Sequence, residues 1–114
     1  MIERNGRGTY YHSAVEHEGT LYLSGVVAND FSGSMGEQTT QALDNLAKVL
    51  ASVGSDASKI LSATIYISDF EAKGEMNEAW QAWFAPENLP ARATIGVATL
   101  GAGVLIEIVV TAGR

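Results

Sequence analysis

Val104-Leu105-Ile106-Glu107-Ile108-Val109-Val110 is the stretch that decides the fold. Its β-branched residues suit a pleated surface. At period two, Ile106, Ile108 and Val110 point one way, and Leu105, Glu107 and Val109 point the other. Apart from Glu107 the strand is therefore apolar on both faces and needs a cover on each. Ile60–Ile67 (ILSATIYI) reads the same way.

Three further strands and two helices surround these runs. Ser13–His17 and Leu21–Val27 suggest a hairpin turning at Glu18–Thr20, followed by a Ser-, Gly- and Asp-containing loop from Asn29 to Gly36. Gln38–Val53 has apolar residues at Ala42, Leu43, Leu46, Ala47, Val49, Leu50 and Val53, one helical stripe, with Gly54 as a natural stop. Asp69 is a candidate cap for a second helix over Gly74–Phe84, whose Met76, Ala79, Trp80, Trp83 and Phe84 share a face, with Pro86 beyond its end. Ala93–Val97 and Leu105–Thr111 are strands separated by the short Gly-rich segment Leu100–Gly103, so they are expected to pair as a hairpin. The order is β-β-α-β-α-β-β, with an extended N-terminal segment available as an edge strand. This predicts an α+β sandwich, one sheet with both helices on one face. Two helices leave the second apolar face bare, and the economical cover is a partner subunit.

At roughly 100–150 residues per domain, residues 1–114 are expected to form a single domain. With 46% hydrophobic and 18% charged residues the chain is too apolar to be disordered. The absence of cysteine rules out a disulfide framework, a thiolate nucleophile and an iron–sulfur cluster. Thirteen acidic against seven basic residues, net charge −6, argue against binding nucleic acid, which rests on phosphate neutralisation. No secretory signal is visible in Met1–Tyr10, and no apolar run approaches the roughly 20 residues of a membrane span. The expectation is a cytoplasmic protein.

Glu107 is the sharpest anomaly, because an unpaired carboxylate in an apolar strand must be paired, protonated or at a wet site. It could serve as a structural ion pair or an exposed edge position instead. Arg92, just ahead of a strand in Pro90-Ala91-Arg92, carries a fork suited to a carboxylate. It could equally be a salt-bridge partner of Glu107 or a solvated loop charge. His12 and His17 fall on opposite faces of a strand and make a poor metal pair, and no acidic cluster has ligand spacing, so no metal is expected. Ser24-Gly25 is not a nucleophile elbow; Gly25 permits close backbone approach, and Ser24 is a hydrogen-bonding residue. Trp80, Trp83 and Phe84 read as core.

Pro90-Ala91-Arg92-Ala93-Thr94-Ile95, then Val97-Ala98, Leu100, Val104 and Ile106-Glu107-Ile108, resembles the C-terminal signature of the RidA/YjgF family of imine deaminases. Leu21–Gly25, Gln38–Gly54, Ile60–Phe70 and Asn77–Phe84 resemble its other elements, so the likeness runs from about Tyr10 to the C-terminus. The resemblance implies a chorismate-mutase-like fold, a homotrimer with a central barrel, and ligand sites between subunits. It implies hydrolysis of 2-imino acids or enamines, such as 2-iminobutanoate and 2-iminopropanoate, to 2-oxo acids and ammonia, with neither metal nor organic cofactor. By residue it implies that Arg92 grips the substrate carboxylate, that Glu107 positions water, and that Tyr11, Ser24, Gly25 and Asn77 line the site. Val26, Ser62 and the short Asn29–Glu37 loop depart from the pattern and bear on side-chain specificity. Two other activities fit the same resemblance: a non-catalytic binder or sensor of small carboxylates, and an endoribonuclease or translation inhibitor, which the net charge disfavours.

Overall fold

The computed structural model describes all 114 residues. Strands β1 (Ile2–Arg7), β2 (His12–His17) and β3 (Thr20–Leu23) precede helix α1 (Met35–Ser52). Strand β4 (Ile60–Ile67), helix α2 (Lys73–Trp83), β5 (Ala91–Gly96) and β6 (Ile106–Gly113) follow. They form one six-stranded mixed sheet in the order β1-β2-β3-β6-β4-β5. Only β4 and β5 run parallel. The N-terminal segment does add an edge strand, β1 on β2. The β2–β3 hairpin turns at Glu18-Gly19, whose φ of 52° and 82° are the left-handed pair of a two-residue type I′ turn.

Both helices lie on one face. Ile65, Ile67, Ile106, Ile108 and Val110 from the sheet meet Leu43, Leu46 and Leu50 of α1 and Met76 and Trp80 of α2, all buried. Each such side chain contributes about 1.5–3 kcal/mol by leaving water. The helices are also tied to each other: the Gly36 N–H donates to Glu75 Oε1 (2.7 Å), and Trp83 Nε1–H donates to Asp44 Oδ1 (3.0 Å). No helix is long and apolar enough to cross a membrane.

Helix α1 starts three residues earlier than its apolar stripe suggests, because Ser34 and Glu37 form a capping box. The Glu37 N–H donates to Ser34 Oγ, and the Ser34 N–H donates to Glu37 Oε1. It ends as expected, at Gly54 with φ 78°. Asp69 caps the short 3-10 turn Phe70–Ala72, not α2 itself, which begins at Lys73 without a side-chain cap.

The expected hairpin of Ala93–Val97 with Leu105–Thr111 does not form. β5 pairs with β4 in parallel, and β6 lies on the other side of β4, between it and β3. The intervening loop crosses the end of β4, where the Val97 N–H donates to the Ile67 carbonyl and the Ser68 N–H to the Leu105 carbonyl. The fully buried Gln38 holds this crossing. Its Nε2 donates to the carbonyls of Phe31, Gly33 and Gly103, and its Oε1 accepts from the Leu105 N–H. A strand as apolar as β6 gains more by sitting between two others than by pairing only at an edge.

The second sheet face carries no helix. Tyr22, Tyr66, Ile95, Val109 and Glu107 lie on it, together with Ser62 and Thr111, whose hydroxyls are 2.6 Å apart. It is more hydroxylic than the sequence reading of β4 as apolar on both faces suggests. Tyr22 and Ile95 remain 50% and 43% exposed.

Candidate functional site

Glu107 sits on β6 directly opposite Tyr66, on the helix-free face. Its neighbour is Gly25. Strand β3 ends at Leu23, and the chain bulges through Ser24-Gly25 before Val26 bridges back to Ile108. The sequence reading ran this strand unbroken to Val27. The bulge brings Gly25 so close to the Glu107 carboxylate that a Cβ there would overlap Oε2 and come within 2.8 Å of Cδ. Gly25 is outside the left-handed region, so it is space, not conformation, that requires glycine. Ser24 Oγ–H donates to the His12 carbonyl (2.7 Å), and the Ser24 N–H to the Ser13 carbonyl, pinning the bulge to β2. Beside it lies a cavity of about 140 Å³ lined by Tyr11, Ser13, Ser24, Gly25, Val26 and Val49.

Arg92 sits elsewhere. It opposes Ala63 of β4, which opposes Val110 of β6, so its side chain shares the helix face. There Nη2–H donates to Asn77 Oδ1 (2.7 Å), Nη1 stands 4.0 Å from Met76 Sδ, and the guanidinium carbon is 5.4 Å from the centre of the Trp80 ring. Asn77, Trp80, Gln81, Leu89, Pro90 and Arg92 line a cavity of about 330 Å³. Two residues further along the same face of β5, Thr94 Oγ1 is the buried side-chain oxygen without a partner.

The sequence reading allowed Arg92 and Glu107 to pair. They do not. The chain's ion pairs join Arg114 to Glu3 and Glu16, and His17 Nε2 lies 3.8 Å from Glu18 Oε1. Arg92 and Glu107 are two strands apart and three residues out of register, roughly 10 Å in each direction at ordinary strand spacings, and on opposite faces. Tyr11, Ser24, Gly25 and Glu107 thus group at one place, and Asn77 and Arg92 at another. Trp80, read from the sequence as core, is buried and also forms a wall beside Arg92. Its position one helical turn from Asn77 is the sequence signal for that. The carboxyls that are shifted lie away from both groups. Hydrogen bonds from the Ser32 hydroxyl and N–H lower Asp30, and those from Ser58 lower Asp56.

A family model described as Endoribonuclease L-PSP, that of the RidA/YjgF proteins, matches residues 3–113. The chain belongs to this family. It is 37% identical over 112 residues to a RutC family protein of Haemophilus ducreyi, covering 98% of this chain and 96% of that one. It is 36% identical over 104 residues to the 2-iminobutanoate/2-iminopropanoate deaminase of Rattus norvegicus, covering 86% of this chain and 75% of that one. A crystal structure of a YjgF family member from Neisseria meningitidis superposes with a TM-score of 0.94 at 35% identity, covering all of this chain and 95% of the other. RidA/YjgF relatives therefore share the whole six-stranded architecture, and some carry a deaminase name.

Proposed function

We propose that this protein is a cofactor-independent imine/enamine deaminase of the cytoplasm that hydrolyses small 2-imino acids to 2-oxo acids and ammonia. The observation that carries the reading is Arg92, a guanidinium beside an open cavity with no carboxylate partner in its own chain. Such a group suits a substrate carboxylate held bidentately. The carboxylate fixes the adjacent C=N carbon, and Glu107 holds the attacking water and accepts its proton. Water oxygen bonds to the imine carbon, the nitrogen takes up protons, and ammonia leaves as the carbonyl forms. Tyr11, Ser24 and Gly25 line the water side. Imines hydrolyse unaided, so positioning alone gives useful acceleration.

Arg92 and Glu107 of one chain face away from each other across the sheet. The reading therefore includes a homotrimer, in which the helix-free faces line a central barrel and Arg92 of one subunit meets Glu107 of another. The bare face of the sheet, with Tyr22 and Ile95 exposed on it, supports it, since a partner subunit is an economical cover.

The test couples the protein to threonine dehydratase with threonine, using semicarbazide to trap free imine. Less semicarbazone with the wild type, and no such effect with Arg92→Ala that still folds, is the expected result. Turnover by Arg92→Ala at the wild-type rate overturns the role of Arg92. Binding of 2-oxo acids with no turnover of any imine replaces the enzyme reading with that of a carboxylate sensor.

A further inference from the structure

Every group that holds Arg92 is neutral. Asn77 accepts a hydrogen bond, Met76 offers a thioether, and Trp80 offers a ring face. This is unexpected on a helix whose residues on either side of Met76 and Asn77 are Glu75 and Glu78, in a chain with thirteen acidic residues to seven basic. The nearby carboxylates are turned elsewhere: Glu75 accepts from the Gly36 N–H, and Glu78 is exposed. At the position of α2 whose side-chain oxygen accepts from the guanidinium, an amide stands where an isosteric aspartate would form a stronger, charge-assisted bond.

The two choices have opposite consequences for a ligand. A guanidinium has five N–H donors, and Asn77 occupies only one of its edges. An amide oxygen orients that edge but leaves the full positive charge unneutralised. An aspartate would orient it equally well and become its counter-ion, competing with any incoming carboxylate. The Trp80 ring centre lies 5.4 Å from the guanidinium carbon, and Asn77 and Trp80, one turn apart on α2, meet the fork together.

We propose that Asn77 and Trp80 are positioning residues that form a charge-neutral cradle, holding Arg92 in place while reserving its charge for the carboxylate of the substrate. This assigns Asn77 to Arg92 and not to the substrate. It rests on the reading that Arg92 grips that carboxylate.

The test is calorimetric titration with 2-oxobutanoate, together with imine turnover, for the wild type, Asn77→Asp, Asn77→Ala and Trp80→Phe. Asn77→Asp is expected to fold with an equal or higher Tm, because it gains an ion pair. It is also expected to bind 2-oxobutanoate about tenfold or more weakly, the equivalent of one charge-assisted bond lost to competition. In turnover the loss should appear in KM more than in kcat. Asn77→Ala, which frees the fork without neutralising it, should lose less than Asn77→Asp, and Trp80→Phe should stay within a few-fold of the wild type. A merely structural Asn77 predicts the reverse order, with Asp the better replacement. Wild-type affinity and KM in Asn77→Asp overturn the cradle even if Arg92→Ala has abolished activity. Failure of the wild type itself to bind or turn over overturns the parent reading, and the cradle with it.

Discussion

Gly25→Ala isolates what the Ser24-Gly25 bulge does. The added methyl would overlap Glu107 Oε2 and lie 2.8 Å from Cδ and 3.0 Å from Cγ, all far inside ordinary contact distances. Moving only the carboxylate tip cannot relieve a clash that reaches Cγ, so the whole Glu107 side chain must change rotamer. It can do so cheaply, being half-buried and engaged in no ion pair. The backbone at Gly25 also accepts alanine without strain. The stability cost is therefore expected at about 1 kcal/mol, the low end for overpacking. Activity should fall much further, since a displacement of about an ångström at a water-positioning group costs about a hundredfold, or about 2.7 kcal/mol of barrier. Urea denaturation measures the first quantity, and the coupled semicarbazide assay the second. Glu107→Gln and the double variant complete a cycle in which the two losses should be strongly non-additive, because Gly25 acts through Glu107. Gly25→Ala at wild-type kcat/KM, or two fully additive losses, would refute the argument.

Removal of the α1 cap by Ser34→Ala should cost about 1 kcal/mol in urea denaturation while leaving imine turnover unchanged, because the capping box lies outside both groups of candidate residues; a change under about 0.3 kcal/mol would mean the box adds nothing. Hydrogen bonds hold Asp30 and Asp56 below the ordinary carboxylate range. Their contribution is thus present above the unfolded carboxylate value and is lost as pH falls through the lowered folded one. Thermal melts between pH 6 and pH 2 should accordingly decline less steeply in Asp30→Asn/Asp56→Asn than in the wild type, and parallel curves would count against it.

Local signals were sufficient wherever one residue or one short pattern decides the outcome. The stripe from Ala42 to Val53 with Gly54 behind it specifies α1, Glu18-Gly19 specifies the β2–β3 turn, and alternation along Ile106–Val110 specifies which side chains enter the core. The capping box at Ser34 was equally local and could have been read from its S-x-x-E spacing. Arg92 and Glu107 were legible as anomalies, because a fork beside a strand and a carboxylate inside one both demand an explanation.

Only the tertiary structure decided the rest. β6 lies between β3 and β4, and Gln38 holds the loop that crosses the end of β4, a contact spanning 65 residues of sequence. The parallel register of β5 on β4 sets Arg92 opposite Ala63 and so on the helix face, because a one-residue change of register moves a side chain to the other side of the sheet. Sequence thus determined which residues are chemically unusual and which elements carry them. Strand order and register, products of long-range packing that no local pattern encodes, determined that one chain holds its arginine and its glutamate back to back.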